Sequence, residues 1–496
     1  MKFPFTPTPR TKWLPLGVSL LFTFVFSEMN GQTARNLPFY SQTTKEAREK
    51  MVAETTTSIR AAFHAPEKFN KEALKAYEEA REAIVTDVSE EINGSALPDD
   101  LLWAYLKRTH AAVVAANPEA ASTKVILTAN PTPNAFSIGD GTIVVYTGLM
   151  AGLENEDQLA FVLCHEIAHY LLHHSTHALT KRIQTLHSKE FKSKVEAAGK
   201  QEYNSVEQVA NIYKNVLLNN RYHHRDLERQ ADSMAYRLYV KTSFEPLQSQ
   251  RLVQLFEFID EPFRDTILRV EQRFGCESYP FKKSWLEQDN GSVWGAAHEE
   301  RARTEKSMED SLRTHPDWRN RLQWLEAMAG KKLPSGAHTI DSSYASIRFL
   351  SALECVEAWF DVERYDRSLY YALLYEKVYP GCDYFREIQA LSLYGLYEKS
   401  KEHKLSDVLA QRSPDQPEPY NQFLDFLNNL RIKDLQSLQS CGTQALKNKK
   451  SEYALLSAYC MAKAQEDTGA MAGAKKEYLS AYRNGRFAGY FKDAKP

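Results

Sequence analysis

This sequence has few long apolar runs, few cysteines and almost no net charge, and each of these features argues against a class of protein. The 496 residues carry 62 Lys and Arg against 64 Asp and Glu, so a formal net charge of −2 gives no electrostatic reason to expect a nucleic-acid partner. Six cysteines in so long a chain do not make a disulfide scaffold. A mean hydropathy of −0.50 argues against a polytopic membrane protein.

The few cysteines leave two interpretations open. No CxxC pair occurs, so the sequence offers no redox or metal motif built from cysteine. Cys441 and Cys460 could bridge two neighbouring helices, and the alternative is that the cysteines are unpaired thiols of the core. We expect Cys164 to be a core residue rather than a ligand.

One membrane-seeking segment is present, at the N-terminus. The apolar run Trp13–Phe26 follows Lys2, Arg10 and Lys12, a pattern typical of a secretory signal peptide. We expect a signal peptide over residues 1–34, cleaved within Ser27–Ala34, with an uncleaved anchor as the alternative. The protein is then exported, with the periplasm as the expected compartment and secretion or N-terminal anchoring as alternatives. Membrane association is expected to be peripheral at most.

Apolar periodicity predicts a mainly α (α+β) fold. Residues 43–91 and 99–115 have helical spacing separated by a break at Asn93-Gly94-Ser95, whereas 122–148 contains short strands and turns. An apolar helix is predicted from Glu156 to His174. At about 150 residues per domain, the length allows roughly three folded units, and we predict a first domain over 35–333.

Beyond residue 344 nearly every segment has helical spacing. The helical segments are expected at 365–378, 386–399, 418–430 and 453–482. Helix pairs at a spacing of about 34–40 residues favour a tetratricopeptide-like helical-repeat domain over 340–496, with a plain helical bundle as the alternative.

The segment His165-Glu166-Ile167-Ala168-His169 carries the strongest chemical signal. Positions i and i+4 share a helix face, so both imidazoles can reach one ion, while Glu166 lies about 100° further round and can meet a water instead. The flanking residues are apolar, and burying these polar groups without a partner would cost several kcal/mol. Two imidazoles suit Zn²⁺, which in catalytic sites has a third protein ligand and an open position.

A third ligand is available further along the chain. Glu228 and Asp232 occupy one face of a predicted helix at 226–239, so Glu228 can ligate while Asp232 accepts the second N–H of a ligating histidine. His173, four residues after His169, could ligate in geometry, although three protein ligands plus water is the usual catalytic count. Outer-shell or surface positions are more typical for the remaining nearby histidines, His177, His223 and His224.

Together these motifs resemble the zinc peptidases of the HtpX, BepA and CAAX-prenyl-protease group, peptidase family M48. The resemblance covers about residues 100–330. The segments that carry it, in the family's order, are Asn134-Ala135-Phe136, Tyr146–Leu149, Asn155–Leu159, the HExxH motif at 165–169, Glu228–Asp232, and Thr314-His315-Pro316 with Arg321. It implies a zincin-type helical domain with a small β-sheet, holding one Zn²⁺ per chain.

The resemblance also implies roles for single residues. His165, His169 and Glu228 match the zinc ligands, Glu166 the general base and Asp232 the acid behind a ligand. His315 and Arg321 resemble groups that stabilise the oxyanion, or, for His315, that occupy the open zinc position in a latent enzyme.

The same resemblance bears on substrates and partners. Asn134, Ala135 and Phe136 match a strand that holds the substrate backbone. Without the membrane helices of HtpX and the prenyl proteases, the chain looks more like the soluble periplasmic branch. The expected function is a zinc endopeptidase acting on envelope proteins in quality control. The alternative is a chaperone-like or assembly-binding module with little or latent proteolysis, which would bind an envelope protein through the C-terminal helices.

Overall fold

The computed structural model describes residues 45–98, 101–200, 225–259, 263, 266–287, 318–332, 341–413 and 416–493. Across these ranges the chain is mostly helical with one three-stranded sheet, so the predicted mainly α class with a small sheet is confirmed. A search of the described helices finds none with the length and apolarity needed to cross a membrane. The predicted leader over 1–34 and the residues His223, His224 and His315 lie outside the described ranges.

Among the described residues, three helices precede the sheet. They are α1 (Lys45–Ala62), α2 (Lys71–Ser95) and α3 (Leu101–Ala116). The break predicted at Asn93-Gly94-Ser95 is wrong by a few residues, because these residues form the last turn of α2. The chain then becomes extended at Ala96, and the backbone of Leu97 donates a hydrogen bond to Leu127 of the first strand. Pairing with a strand edge, rather than glycine, therefore ends α2.

The sheet has the order β1–β3–β2. Its strands are β1 (Lys124–Thr128), β2 (Ala135–Ser137) and β3 (Thr142–Tyr146). The central strand β3 runs parallel to β1, with Ile126 opposite Val144, and antiparallel to β2, with Phe136 opposite Val144. Both outer strands pair with β3, whose residues Thr142 to Val145 are buried because both faces of the strand are covered.

The sheet separates two hydrophobic clusters. One face, with Ile126 and Val144, packs against α1 and α2. The other face, with Leu127, Ile143 and Val145, belongs to a larger core that continues into the C-terminal helices. Strand β3 thus contributes alternate residues to the two cores.

In the described part of the chain, seven helices lie between the sheet and the C-terminal part. They are α4 (Thr147–Gly152), α5 (Glu156–Leu171), α6 (His174–Leu186), α7 (Lys189–Gly199), α8 (residues 225–239), α9 (Gln248–Leu255) and α10 (Trp318–Ala329). Helix α5 packs against α3, α9, β2 and β3. Its first turn is stabilised by Asn155, whose side chain accepts a hydrogen bond from the Gln158 backbone. Every residue from Gln158 to Ala168 is buried.

Gly148 at the start of α4 allows the loop before β2 to lie directly on that helix. Its backbone N–H donates to the carbonyl of Asn130, and a Cβ at this position would collide with the backbone of Pro131 and Thr132. Only glycine permits this approach, which fixes where β2 begins relative to α4 and α5.

The C-terminal part is entirely helical where it is described. Its helices are α11 (Ser342–Asp361), α12 (Tyr365–Val378), α13 (Asp383–Lys401), α14 (Leu405–Val408), α15 (Glu418–Asn428), α16 (Ile432–Ala445), α17 (Glu452–Ala464), α18 (Thr468–Ala481) and α19 (Ala488–Asp493). Helix α11 packs on α4, and Tyr344 donates a hydrogen bond to the Met150 carbonyl. The single predicted segment 453–482 is two helices, separated at Gln465–Asp467.

One disulfide joins the segment before α10 to the C-terminal helices. Cys276 is bonded to Cys441 of α16, with their Cα atoms 5.8 Å apart. The possible Cys441–Cys460 bridge is therefore wrong, and Cys460 is a buried free thiol, as are Cys164 and Cys355. The 165-residue separation of the bonded pair explains why sequence spacing did not indicate it.

Candidate metal centre

Helix α5 presents two imidazoles toward one point. His165 and His169 lie one turn apart, and their Nε2 atoms are 3.0 Å from each other. His165 is 4 % exposed and Glu166 is 6 % exposed, so this end of α5 is almost wholly enclosed. The i, i+4 spacing in the sequence therefore becomes a shared face inside the protein.

Helix α8 adds a carboxylate to the two imidazoles. Glu228 has one oxygen 3.4 Å from Nε2 of His165 and the other 3.4 Å from Nε2 of His169. Its buried neighbours Ala231 and Ala235 follow at helical spacing and hold this face of α8 in the larger core. Within the described ranges, these three residues form the one cluster of His, Cys, Asp or Glu ligand atoms close enough to hold a metal ion.

Behind His165, a carboxylate and a guanidinium form a fully enclosed ion pair. Asp232 has an oxygen 3.0 Å from Nδ1 of His165, and Arg321 of α10 donates two hydrogen bonds to the same carboxylate, at 2.7 and 2.8 Å. Burial would raise the pKa of Asp232, but the charge of Arg321 and the hydrogen bond from His165 lower it to about 2. Asp232 is therefore ionised and holds the His165 ring in one orientation.

The electrostatic field at the centre favours a cation. Burial opposes a charged imidazole, yet the hydrogen bonds and negative charges of Asp232 and Glu228 raise the pKa of His165 to about 10. The same two carboxylates would attract a metal ion placed between the imidazoles.

The donor atoms fit a zinc ion. Zinc bonds of about 2.0–2.1 Å in a tetrahedral arrangement place neighbouring ligand atoms roughly 3.3 Å apart. The Nε2 atoms of His165 and His169 are 3.0 Å apart, and each lies 3.4 Å from a different oxygen of Glu228. With the second nitrogen of His165 bonded to Asp232, the Nε2 atoms of both histidines and a Glu228 oxygen are the donor atoms that would hold the ion.

The end of α5 differs from the prediction. The helix was expected to reach His174, but it ends at Leu171, and His173 adopts a left-handed conformation with φ of 57°. His173 is exposed and its ring lies beside that of His177, whose side chain is also exposed, so His173 lies outside the metal cluster.

His174, for which the sequence suggested no role, is the histidine that contacts a candidate ligand. Its Nδ1 is 3.0 Å from Nδ1 of His169, and it is 5 % exposed. Burial and the neighbouring His169 lower the pKa of His174 to about 4.

The structure gives Arg321 a different position from the one expected of an oxyanion donor. Arg321 is 2 % exposed, and its guanidinium is hydrogen-bonded to Asp232. Burial lowers the pKa of Arg321, but the negative charges of Asp232, Glu228 and, to a smaller extent, Glu166 raise it above its usual value.

The predicted substrate strand lies at the edge of the sheet, beside α5. The Asn134 carbonyl accepts a hydrogen bond from Tyr146, and the Ile138 N–H donates to Thr142, so these residues face β3. Antiparallel alternation then turns the backbone groups of Ala135 and Ser137 away from β3. The Ser137 carbonyl is taken by a hydrogen bond from Ser175 of α6. The ring of Phe136 packs on Tyr146.

An HExxH helix, a glutamate from a second helix and an adjoining edge strand define a metalloprotease-type domain. Residues 103–329 match the sequence profile of peptidase family M48, so the chain contains a domain of that family, and the resemblance drawn from the motifs is confirmed. A stretch of 46 residues is 46 % identical to the mitochondrial metalloendopeptidase OMA1 of Schizosaccharomyces pombe. That match covers 9 % of this chain and 14 % of the yeast protein.

Proposed function

We propose that this protein is a zinc-dependent endopeptidase. The observation that carries the proposal is the convergence of His165, His169 and Glu228, with Glu166 on the same buried helix. These three residues would hold the ion, and the M48 profile match over 103–329 supports a metalloprotease. When bound, Zn²⁺ supplies a Lewis acid that polarises a peptide carbonyl and acidifies water.

The chain's own residues would do the proton transfer and the orientation. Glu166, the residue next to His165 on the helix, takes a proton from the attacking water and passes it to the leaving amine. Asp232, held by Arg321, keeps the His165 ring in the tautomer that presents Nε2 to the ion. The enclosure of Glu166 strengthens its electrostatic interactions.

A polypeptide substrate would bind along β2. Extended peptides add to free sheet edges through main-chain hydrogen bonds, and the outward groups of β2 belong to Ala135 and Ser137. Since Ser175 occupies the Ser137 carbonyl, pairing would centre on Ala135, whereas Asn134 and Phe136 would position the strand rather than bind substrate backbone.

The decisive experiment compares Glu166→Gln with wild type in a peptidase assay and by metal analysis. We expect the variant to keep zinc and its kcat to fall about 10²–10⁴-fold, because only the general base is removed. His165→Ala and Glu228→Ala should instead lose the ion. Glu190→Gln, the same change on the exposed face of α7, is the matched control and should retain full activity. Hydrolysis by Glu166→Gln at the wild-type rate would refute the assignment.

We further propose that the C-terminal helices, within 340–496, recognise protein partners as a helical-repeat domain. Helix α13 packs against α12, α16 and α17, and α17 packs against α18, which is the kind of stacking that builds a solenoid. A deletion strain rescued by Glu166→Gln would favour a chaperone-like role for this part over proteolysis.

The cellular setting is also a proposal. The basic and apolar start of the sequence supports export through a signal peptide within residues 1–34, and hence action on envelope proteins in quality control. N-terminal sequencing of the protein from a periplasmic fraction tests this, since a retained Met1 would contradict cleavage.

A further inference from the structure

The turn at the end of α5 brings a second histidine against a candidate zinc ligand. Leu171 is the last helical residue and Leu172 the C-cap, so His173 with its φ of 57° occupies the C′ position and His174 the C″ position. In helix ends with a left-handed C′ residue, the C″ side chain commonly contacts C3, three positions into the helix end. Here C3 is His169, and the contact is between two imidazoles rather than two apolar groups.

The hydrogen-bond directions in this contact follow from metal binding. A ligating His169 must offer the lone pair of Nε2, so its proton is on Nδ1. That N–H donates to Nδ1 of His174, 3.0 Å away, and His174 must therefore carry its own proton on Nε2. We propose that His174 is the positioning residue of the zinc ligand His169, fixing its tautomer and ring orientation. The assignment rests on the proposed zinc site.

The two ligands of α5 would then have chemically different supports. His165 is backed by the carboxylate of Asp232, itself neutralised by Arg321. His169 is backed by a neutral imidazole, which adds no charge to a buried centre that already contains Glu166 and Glu228. Each imidazole would be held at Nδ1, the nitrogen that does not bind the ion. The support of His169 would add no further carboxylate to the site.

Two substitutions separate this role from simple packing. His174→Asn keeps an acceptor oxygen near the place of Nδ1, whereas His174→Leu fills a similar volume without an acceptor. His177→Ala, on the exposed face of the same helix, is the matched control. All three are made in the full chain.

The measurement is the zinc dissociation constant, from competition with a chromophoric chelator, together with the absorption spectrum of the Co²⁺-loaded protein. We expect His174→Leu to bind zinc 10–100-fold more weakly and to shift the Co²⁺ bands. His174→Asn should remain within about threefold of wild type by the same reasoning, because it retains the acceptor. His177→Ala should match wild type.

Equal zinc affinities and spectra for the Leu and Asn variants would overturn the proposal. Thermal unfolding of the metal-free proteins checks that any difference arises at the bound ion and not from misfolding. Because the readout is binding, it is independent of hydrolysis. A wild-type protein that binds zinc but cleaves nothing would refute the proposed function alone, whereas an unaffected His174→Leu would refute this inference alone.

Discussion

Replacing Arg321 by methionine tests which of two roles that residue has. Its guanidinium makes two short hydrogen bonds to Asp232, and both side chains are almost fully buried. Methionine preserves much of the apolar volume but leaves the Asp232 carboxylate without its cationic partner. Breaking a buried ion pair from one side costs about 3–5 kcal/mol, because the remaining charge stays desolvated.

This cost is large relative to the stability of the domain. Unfolding free energies are roughly 5–15 kcal/mol, and at about 2–4 °C per kcal/mol a loss near 4 kcal/mol lowers Tm by about 8–16 °C. The same change loosens the support of His165, so we expect zinc affinity to fall about 10–100-fold. Activity of Arg321→Met should recover in part when zinc is added in excess.

The double variant Asp232→Asn with Arg321→Met provides the control for this reasoning. Removing both charges leaves no unpaired carboxylate, so its loss of stability should be clearly smaller than the sum of the two single losses. Thermal unfolding of the four proteins, with and without zinc, yields the coupling energy. Normal Tm and zinc affinity in Arg321→Met, with kcat reduced 10²–10³-fold, would refute the positioning role and favour an oxyanion donor.

Acid sensitivity gives an independent check on the same pair. The pKa of Asp232 is lowered from 3.8 to about 2, so its contribution to stability is fully present above pH 4 and is lost as the pH falls toward 2. Without Arg321 the folded-state pKa of Asp232 should rise from about 2 toward or above 3.8, so this acid-induced loss should shrink or reverse. Tm should therefore fall less between pH 4 and pH 3 in Arg321→Met than in wild type.

Two further predictions concern the C-terminal helices. Changing both Cys276 and Cys441 to serine opens a loop closed over a separation of 165 residues, so urea unfolding should show a loss of about 3–5 kcal/mol, and no loss would contradict the bridge. Burial raises the pKa of Glu387 to about 7, so its contribution to stability falls as the pH rises from about 4.5 to 7. Glu387→Gln should be more stable than wild type at pH 8, by about 3 kcal/mol at most, but not at pH 5; equal pH dependence would contradict this.

Local pattern was enough for the elements that bury continuous apolar surface. The stretch 122–148 was predicted to contain short strands, and β3 at Thr142–Tyr146 lies within it, covered on both faces. The periodicity over 365–378 predicted a helix that coincides with α12. For the candidate site, the i, i+4 spacing on α5 sufficed to place His165 and His169 together, since that geometry is set within one helix turn.

Contacts between distant segments were beyond local pattern. Nothing in the spacing of Cys276 and Cys441 indicates their bond, because it depends on how the C-terminal helices pack against the segment before α10. The partner of Arg321 is likewise set by tertiary packing, since the residue is 89 positions from Asp232. Family resemblance indicated that Arg321 belongs to the site as an oxyanion-stabilising group, and did not indicate its hydrogen bonds to Asp232.

Helix ends without glycine explain both the errors in helix length and the overlooked histidine. The described structure has four non-glycine residues with positive φ, and each occupies the C′ position after a helix: His173, Glu363, His403 and Glu466. Glycine is the usual sequence signal for such an end, so the helices ending before His173 and Glu466 were predicted to run on.

At α5 this turn has a chemical consequence. An unbroken helix would place His173, four residues after His169, on the ligand face, and the sequence argument accordingly considered His173. The left-handed residue turns His173 outward and brings His174 to His169 instead. If the turn matters for this reason, His173→Gly should preserve zinc affinity, since glycine favours the same conformation. His173→Val should weaken zinc binding, although residue 173 touches no ligand, because a β-branched residue disfavours positive φ.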